Sequence, residues 1–245
     1  RIIRCREYLD KKIATAEAPI YGVTTGFGSL CKVSIDEDKL SQLQINLMMS
    51  HACGEGDRVP TDVVRLMIFF KIQSLSYGYS GIKLDTVERL IEFFNHGVCP
   101  VVYQQGSVGA SGDLVPLAHL TLPLVGLGEV EVEGKVISGE EMLRKFNWQP
   151  IQLASKEGLA LLNGTQNMGA FAVWALLQSH RLSDWADKNA FVNGGIYNNL
   201  EPTGDSDEAI AATRINQRWQ EVVPELITAA SDEEFDKILS DFLAA

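Results

Sequence analysis

The chain has 245 residues, a net charge of -11, 46% hydrophobic and 22% charged residues. That length holds one large domain or two small ones with a sizeable core. The acidic balance argues against a nucleic-acid partner, which needs a basic face, and no run of about 18 apolar residues marks a membrane span. The first residue is Arg1, no signal peptide opens the chain, and both ends read as cuts. Residues 201–245 hold eleven acidic and three basic residues, so the tail carries most of the negative charge and reads as a different kind of segment. Cys5, Cys31, Cys53 and Cys99 are scattered, and His51, His96, His119 and His180 form no H-x-x-x-H pair. The thiols read as reduced groups of a cytoplasmic protein, and no metal site is expected.

In chain order, residues 21–30 are Gly-rich and irregular. A helix is predicted over 37–51, with Leu40, Leu43, Leu47 and Met48 on one face. A second runs over 60–77, with Pro60 in its first turn and a stripe of Val63, Val64, Met67, Ile68 and Ile72. Residues 85–95 repeat the pattern through Val87, Leu90, Ile91 and Phe94, and residues 113–123 start a helix behind Asp113. Alternation around Gly134 predicts a hairpin over 129–137. Residues 155–185 read as one long helix. The texture changes near Lys188, and helices are predicted over 209–223 and 231–243, the latter with a capping box from Ser231 to Glu234. The fold class is mainly α, with Gly-rich loops and a small β-hairpin.

The stretch SVGASGDLVPLAHL, residues 107–120, carries the sharpest chemical reading. As a bare triplet, Ala110-Ser111-Gly112 suits a flexible turn. In a pinched turn, however, the Gly112 nitrogen has an unhindered approach to the Ala110 carbonyl. Ring closure and loss of water from Ser111 would leave an exocyclic methylidene, an electrophile that no unmodified side chain supplies. The glycines at 26, 28, 106 and 109 do not suit a phosphate loop, because no G-K-S/T ending follows and no strand clearly precedes either stretch.

GSVGASGDLVPLAH resembles the cofactor loop of the aromatic amino acid ammonia-lyases. Three further stretches resemble the same family in the right order: YGVTTGFG (21–28), NLMMSHACGEG (46–56) and EGLALLNGTQ (157–166). The resemblance covers residues 1–187, and residues 188–245 form a divergent acidic helical tail, similar in part to the closing helices of bacterial extracellular sugar-binding proteins. It implies that Ala110, Ser111 and Gly112 mature into 4-methylideneimidazole-5-one (MIO), with no diffusible cofactor. It implies that Tyr21 is the base or proton relay at the substrate β-carbon, and that Asn163 contacts the prosthetic group and the substrate carboxylate. Ser50 and His51 stand where histidine-specific members carry Ser-His, which points to L-histidine as substrate and trans-urocanate and ammonia as products.

The family's second half, with its helical bundle, its substrate-binding arginine and its tetramer core, has no counterpart here. The chain alone is therefore expected to be weakly active or inactive. The alternatives are a tyrosine or phenylalanine ammonia-lyase, or a non-catalytic helical domain. Taken singly, Tyr21 reads as a packed loop aromatic and His51 as a helix-end residue completing exposed carbonyls. Cys53 and His119 read as packing residues, and Asn163 as part of an N-G-T sequon just inside an apolar helix.

Overall fold

The computed structural model describes residues 1–26, 35, 39–107, 112–197 and 237, with side chains described as far as residue 188 and at 237. Ala110, Ser111 and, apart from Lys237, the predicted tail helices lie outside the described residues. The chain divides into two compact units, Arg1–Ser179 and His180–Ala245. Of the second, the described residues are the C-terminal stretch of one long helix and Lys237. No helix among the described residues is long and apolar enough to cross a membrane.

The first unit is mainly α. Helix α1 (Ile2–Ala14) is followed by α2 (Leu40–His51), strand β1 (Glu55–Arg58), α3 (Thr61–Ser76) and α4 (Leu84–Asn95). Two short strands follow, β2 (Cys99–Pro100) and β3 (Tyr103–Gln105). Then come α5 (Leu114–Thr121) with a 3-10 turn behind it, the hairpin β4 (Glu129–Val132) and β5 (Lys135–Ser138), and α6 (Gly139–Lys145). Helices α7 (Glu157–Leu162) and α8 (Gln166–Tyr197) complete the described order.

The predicted hairpin forms around Gly134 with Val130 opposite Ile137, and β2 adds to its free edge with Cys99 opposite Glu131. A second pair, β1 antiparallel to β3, went unread because its four β1 residues, Glu55–Arg58, are all exposed and carry no alternation. This pair corrects the expectation that no strand precedes the serine loop: β3 ends at Gln105, one residue before Gly106.

Helix α3 follows the predicted stripe, with Val63, Val64, Met67, Ile68 and Leu75 buried. Pro60 stands one place outside the first turn rather than within it, and its carbonyl accepts from Val63 and Val64 at 2.9 and 3.0 Å. In α4 the buried face is Thr86, Val87, Leu90 and Phe93, while Ile91 is exposed. Adjacent apolar pairs at 90–91 and 93–94 leave two stripes open to sequence reading, and packing selects the one centred on Leu90. Helix α5 lies between two apolar clusters. Ala118 belongs to one, around Leu90, Phe93, Leu124 and Met142; Leu117 and Leu120 belong to the other, around Val63, Met67 and Ile68. Leu117 and Leu120 are fully buried, each worth about 1.5–3 kcal/mol, so the loop that feeds α5 hangs from a rigid element.

The single helix predicted over 155–185 is broken. Helix α7 stops at Leu162, Asn163 is extended at φ -80° and ψ 133°, Gly164 sits at φ +146°, and α8 starts at Gln166. Asn163 is therefore not inside a helix but at the exposed end of a short one.

Candidate active site

Three segments meet where the serine loop returns to α5. The first is the loop's own C-terminal end. Gly112 pairs in parallel with Gly164, and the Asp113 amide donates to the Gly164 carbonyl at 3.0 Å. Gly112 holds φ +90°, and a Cβ placed on it would lie 2.5 Å from the Gly164 oxygen. No other residue type fits there without moving one of the two strands.

Asp113, 1% exposed, ties this region together. Sequence reading places it at the start of α5, yet its carboxylate makes no cap there. One oxygen accepts from the Ser107 hydroxyl at 3.1 Å, bridging the two ends of the serine loop. The other accepts from the Met168 amide at 3.0 Å, in the first turn of α8. A carboxylate at that helix N-terminus meets unsatisfied N–H groups and the positive end of the dipole, which helps start α8 after the Asn163-Gly164 break.

The second segment follows α2. Ser50 and His51 occupy its last turn, and the Ser50 hydroxyl donates to the Leu47 carbonyl at 2.9 Å. His51 Nδ1 lies 2.8 Å from the same carbonyl, an acceptor only, so Nδ1 carries the hydrogen and a neutral ring keeps its lone pair on Nε2. The Gly54 amide then donates to His119 Nε2 at 3.0 Å, and the His119 ring meets Tyr103 edge-on at 5.1 Å. His119 thus stitches the His51 segment to α5 rather than merely filling space. Cys53, expected as a packing residue, is exposed.

Burial lowers the His119 pKa below its ordinary value, in keeping with an acceptor Nε2. Its unfolded value, near 6.5, is the higher, so the fold binds fewer protons and loses stability as pH falls through 6.5 toward the folded value. A His119→Asn chain is expected to lose that acid-side dependence, read as the change in urea midpoint between about pH 7.5 and 5 relative to the parent chain. An unchanged slope would remove His119 as its source.

The third segment is Asn163-Gly164. Its carbonyl at Asn163 accepts from Lys71 Nζ at 2.8 Å. Lys71, 1% exposed on α3, burial driving its amine down to about 7, was not singled out from sequence. The available signal was a lysine continuing the Val64-Met67-Ile68-Leu75 stripe. Gly54, Asp113 and Gly164 were likewise missed.

The structure thus joins Gly112 to the Asn163-Gly164 segment and ties the stretch after His51 to α5 through Gly54 and His119. Tyr21 is on an exposed turn after α1, the residue 61% exposed, and that turn is held by Thr25 Oγ1 accepting from the Gly22 amide. Among the described residues no cluster of His, Cys, Asp and Glu could hold a metal.

A left-handed glycine bridged to Gly164 at the head of a buried helix, with His51 and Asn163 on neighbouring helix ends, lies within the stretches that resemble one class of enzyme. The chain belongs to the aromatic amino acid lyase family, whose pattern matches residues 1–198. Within it, the chain is similar to the histidine ammonia-lyase of Legionella pneumophila (strain Corby), 50% identical over 185 residues, 76% of this chain and 37% of that protein. It is equally similar to the histidine ammonia-lyase of Streptococcus gordonii, 50% identical over 186 residues, 74% of this chain and 36% of that protein. Among solved structures it matches histidine ammonia-lyase from Trypanosoma cruzi at a TM-score of 0.68 and 35% identity, covering 76% of this chain and 35% of that one. The phenylalanine aminomutase of Pantoea agglomerans matches at a TM-score of 0.68 and 34% identity, covering 75% and 35%. The chain spans little more than a third of the length of the curated relatives it matches.

Proposed function

We propose that this chain forms part of a histidine ammonia-lyase, which eliminates ammonia from L-histidine to give trans-urocanate. The observation that carries the proposal is the Gly112–Gly164 clamp, at which the chain presents a glycine amide with no room for a side chain. Such a residue suits closure of Ala110-Ser111-Gly112 into MIO, and Asp113 holds the two ends of the loop together through Ser107. Once formed, the ring supplies an electrophilic carbon for the substrate amine, chemistry that unmodified side chains lack.

The remaining roles fall to the chain's own groups. His51 Nε2, left as an acceptor by the bond at Nδ1, suits the N–H of a substrate imidazole. That match favours histidine over tyrosine or phenylalanine, whose rings offer no such N–H. The Asn163 side chain, exposed beside the clamp, is assigned to the substrate carboxylate. Tyr21 takes the β-proton, which requires its turn to close over the substrate. A cytoplasmic location goes with this proposal, and completing the site takes the family's second half in addition to the residues of this chain.

The test is substrate choice in the full chain. Urocanate absorbance is followed with L-histidine, and the cinnamate products with L-tyrosine and L-phenylalanine. Whatever turnover the parent shows is expected to favour histidine, and His51→Leu to lower kcat/KM for histidine by about 5–150-fold, the cost of about 1–3 kcal/mol for a substrate N–H left without its acceptor. Unchanged histidine preference in His51→Leu would overturn the assignment of substrate.

A further inference from the structure

Lys71 is an amine buried on the apolar face of α3. It continues an apolar stripe on α3, where a methionine would fill the same space. Among the described residues no carboxylate pairs with it, and burial alone pushes its amine down to about 7. A buried amine in this position is costly to keep. Its described hydrogen bond runs from Nζ to the Asn163 carbonyl at 2.8 Å.

That carbonyl sets the plane of the peptide joining Asn163 to Gly164. The next carbonyl, of Gly164, accepts from the Asp113 amide at 3.0 Å and forms the wall against Gly112. A continuous path therefore runs from α3 through Lys71 and the Asn163-Gly164 strand to the residue whose amide closes the ring. Gly112 needs that wall fixed, because ring closure requires its nitrogen to be held close to the Ala110 carbonyl carbon rather than merely able to reach it.

We propose that Lys71 is the positioning residue for maturation of the serine loop, setting the strand against which Gly112 is pressed. This rests on the reading of Ala110-Ser111-Gly112 given above. In the step it serves, a bond forms from the Gly112 nitrogen to the Ala110 carbonyl carbon. One water leaves with the Ala110 oxygen and the amide protons of Ser111 and Gly112, and a second leaves with the Ser111 hydroxyl and its α-hydrogen. No oxidant is needed. The described hydrogen bond of Lys71 is to the Asn163 carbonyl and not to the Gly112 nitrogen. Lys71 acts through Asn163, and because the Asn163 side chain springs from the same residue, the same bond also orients the amide proposed to meet the substrate.

The experiment is intact-mass spectrometry of the folded, full chain, with near-ultraviolet absorbance of the ring as a second readout. The parent is expected to lack the mass of two waters. Lys71→Met is expected to keep both waters in most molecules, or to lose them at least about tenfold more slowly, with far-ultraviolet circular dichroism and oligomer size unchanged. Lys71→Arg, which keeps a donor of similar reach, is expected to recover maturation in part. If Lys71→Met does not fold, Lys71→Gln decides: its side chain is too short for the Asn163 carbonyl, so its folded fraction is expected to stay immature. Full maturation of folded Lys71→Met or Lys71→Gln would overturn the proposal. A parent chain that keeps both waters would instead overturn the reading of the serine loop on which it rests.

Discussion

Gly112→Ala is expected to leave the serine loop unmodified, both waters kept in the intact mass, and to remove whatever histidine turnover the parent chain shows, as loss of a principal catalytic group does. Two features of the structure act together. The backbone at 112 is left-handed, which costs a residue with a Cβ about 1–2 kcal/mol. The Cβ would also stand 2.5 Å from the Gly164 oxygen, closer than real contacts allow. Either the Gly112–Gly164 pairing opens or the loop turns away, and both carry the amide from its target. The checks are intact mass and urocanate absorbance of the same preparation. A folded Gly112→Ala chain that still loses two waters would show that the clamp is not needed for closure.

Four helices of the first unit, α2 to α5, were legible because their apolar faces repeat at helical spacing, whereas α1 and α6 went unread. Helices α2, α3, α4 and α5 lie within a few residues of their predicted spans. Where adjacent apolar residues blur the period, as at Leu90-Ile91 and Phe93-Phe94, only packing decides which face turns inward. The break between α7 and α8 was illegible for another reason. Apolar residues continue on both sides of Asn163-Gly164, and the groups that stabilise the break are distant in sequence: Asp113 reaches the first turn of α8, and Lys71 reaches the Asn163 carbonyl. Periodicity within a window cannot report a carboxylate 55 positions away.

The candidate site was legible in a similar, divided way. Ser50, His51 and Asn163 were singled out through the resemblance of their stretches to the family, not from residue type alone. Their chemistry is not legible in that way. The acceptor nitrogen of His51 depends on which ring atom faces the Leu47 carbonyl, a matter of rotamer. Lys71 is visible in sequence as a charge on an apolar stripe, but its partner is not, and without the partner it reads as a snorkelling side chain. Asp113 was read as a local helix start because Asp commonly caps the helix that follows it. The structure gives it to a different helix, since its carboxylate faces α8 and Ser107 instead.

The largest stability effect is expected at Glu157, the residue that opens α7 and so fixes where Asn163 falls. Its side chain is 0% exposed. One carboxylate oxygen accepts from the Lys83 amide at 2.9 Å and the Thr86 hydroxyl at 2.8 Å, and the other accepts from the Ala154 amide at 2.7 Å. The Lys83 ammonium stands 3.7 Å away. Glu157→Leu removes the acceptor for two backbone amides and a buried hydroxyl at once, while the start of α4 and the turn before α7 lose their common tie. The expected loss is about 3–5 kcal/mol, read from urea unfolding. Glu157→Gln keeps one acceptor oxygen and turns an NH2 group toward the remaining donor, so its loss is expected to be smaller, about 1–3 kcal/mol. Thr86→Val, removing one of the three donors, should fall below both. If instead Glu157→Leu unfolds within about 0.5 kcal/mol of the parent, α7 is held by apolar packing of Ala160, Leu161 and Leu162 alone. In that case the placement of Asn163 beside the clamp owes nothing to the carboxylate.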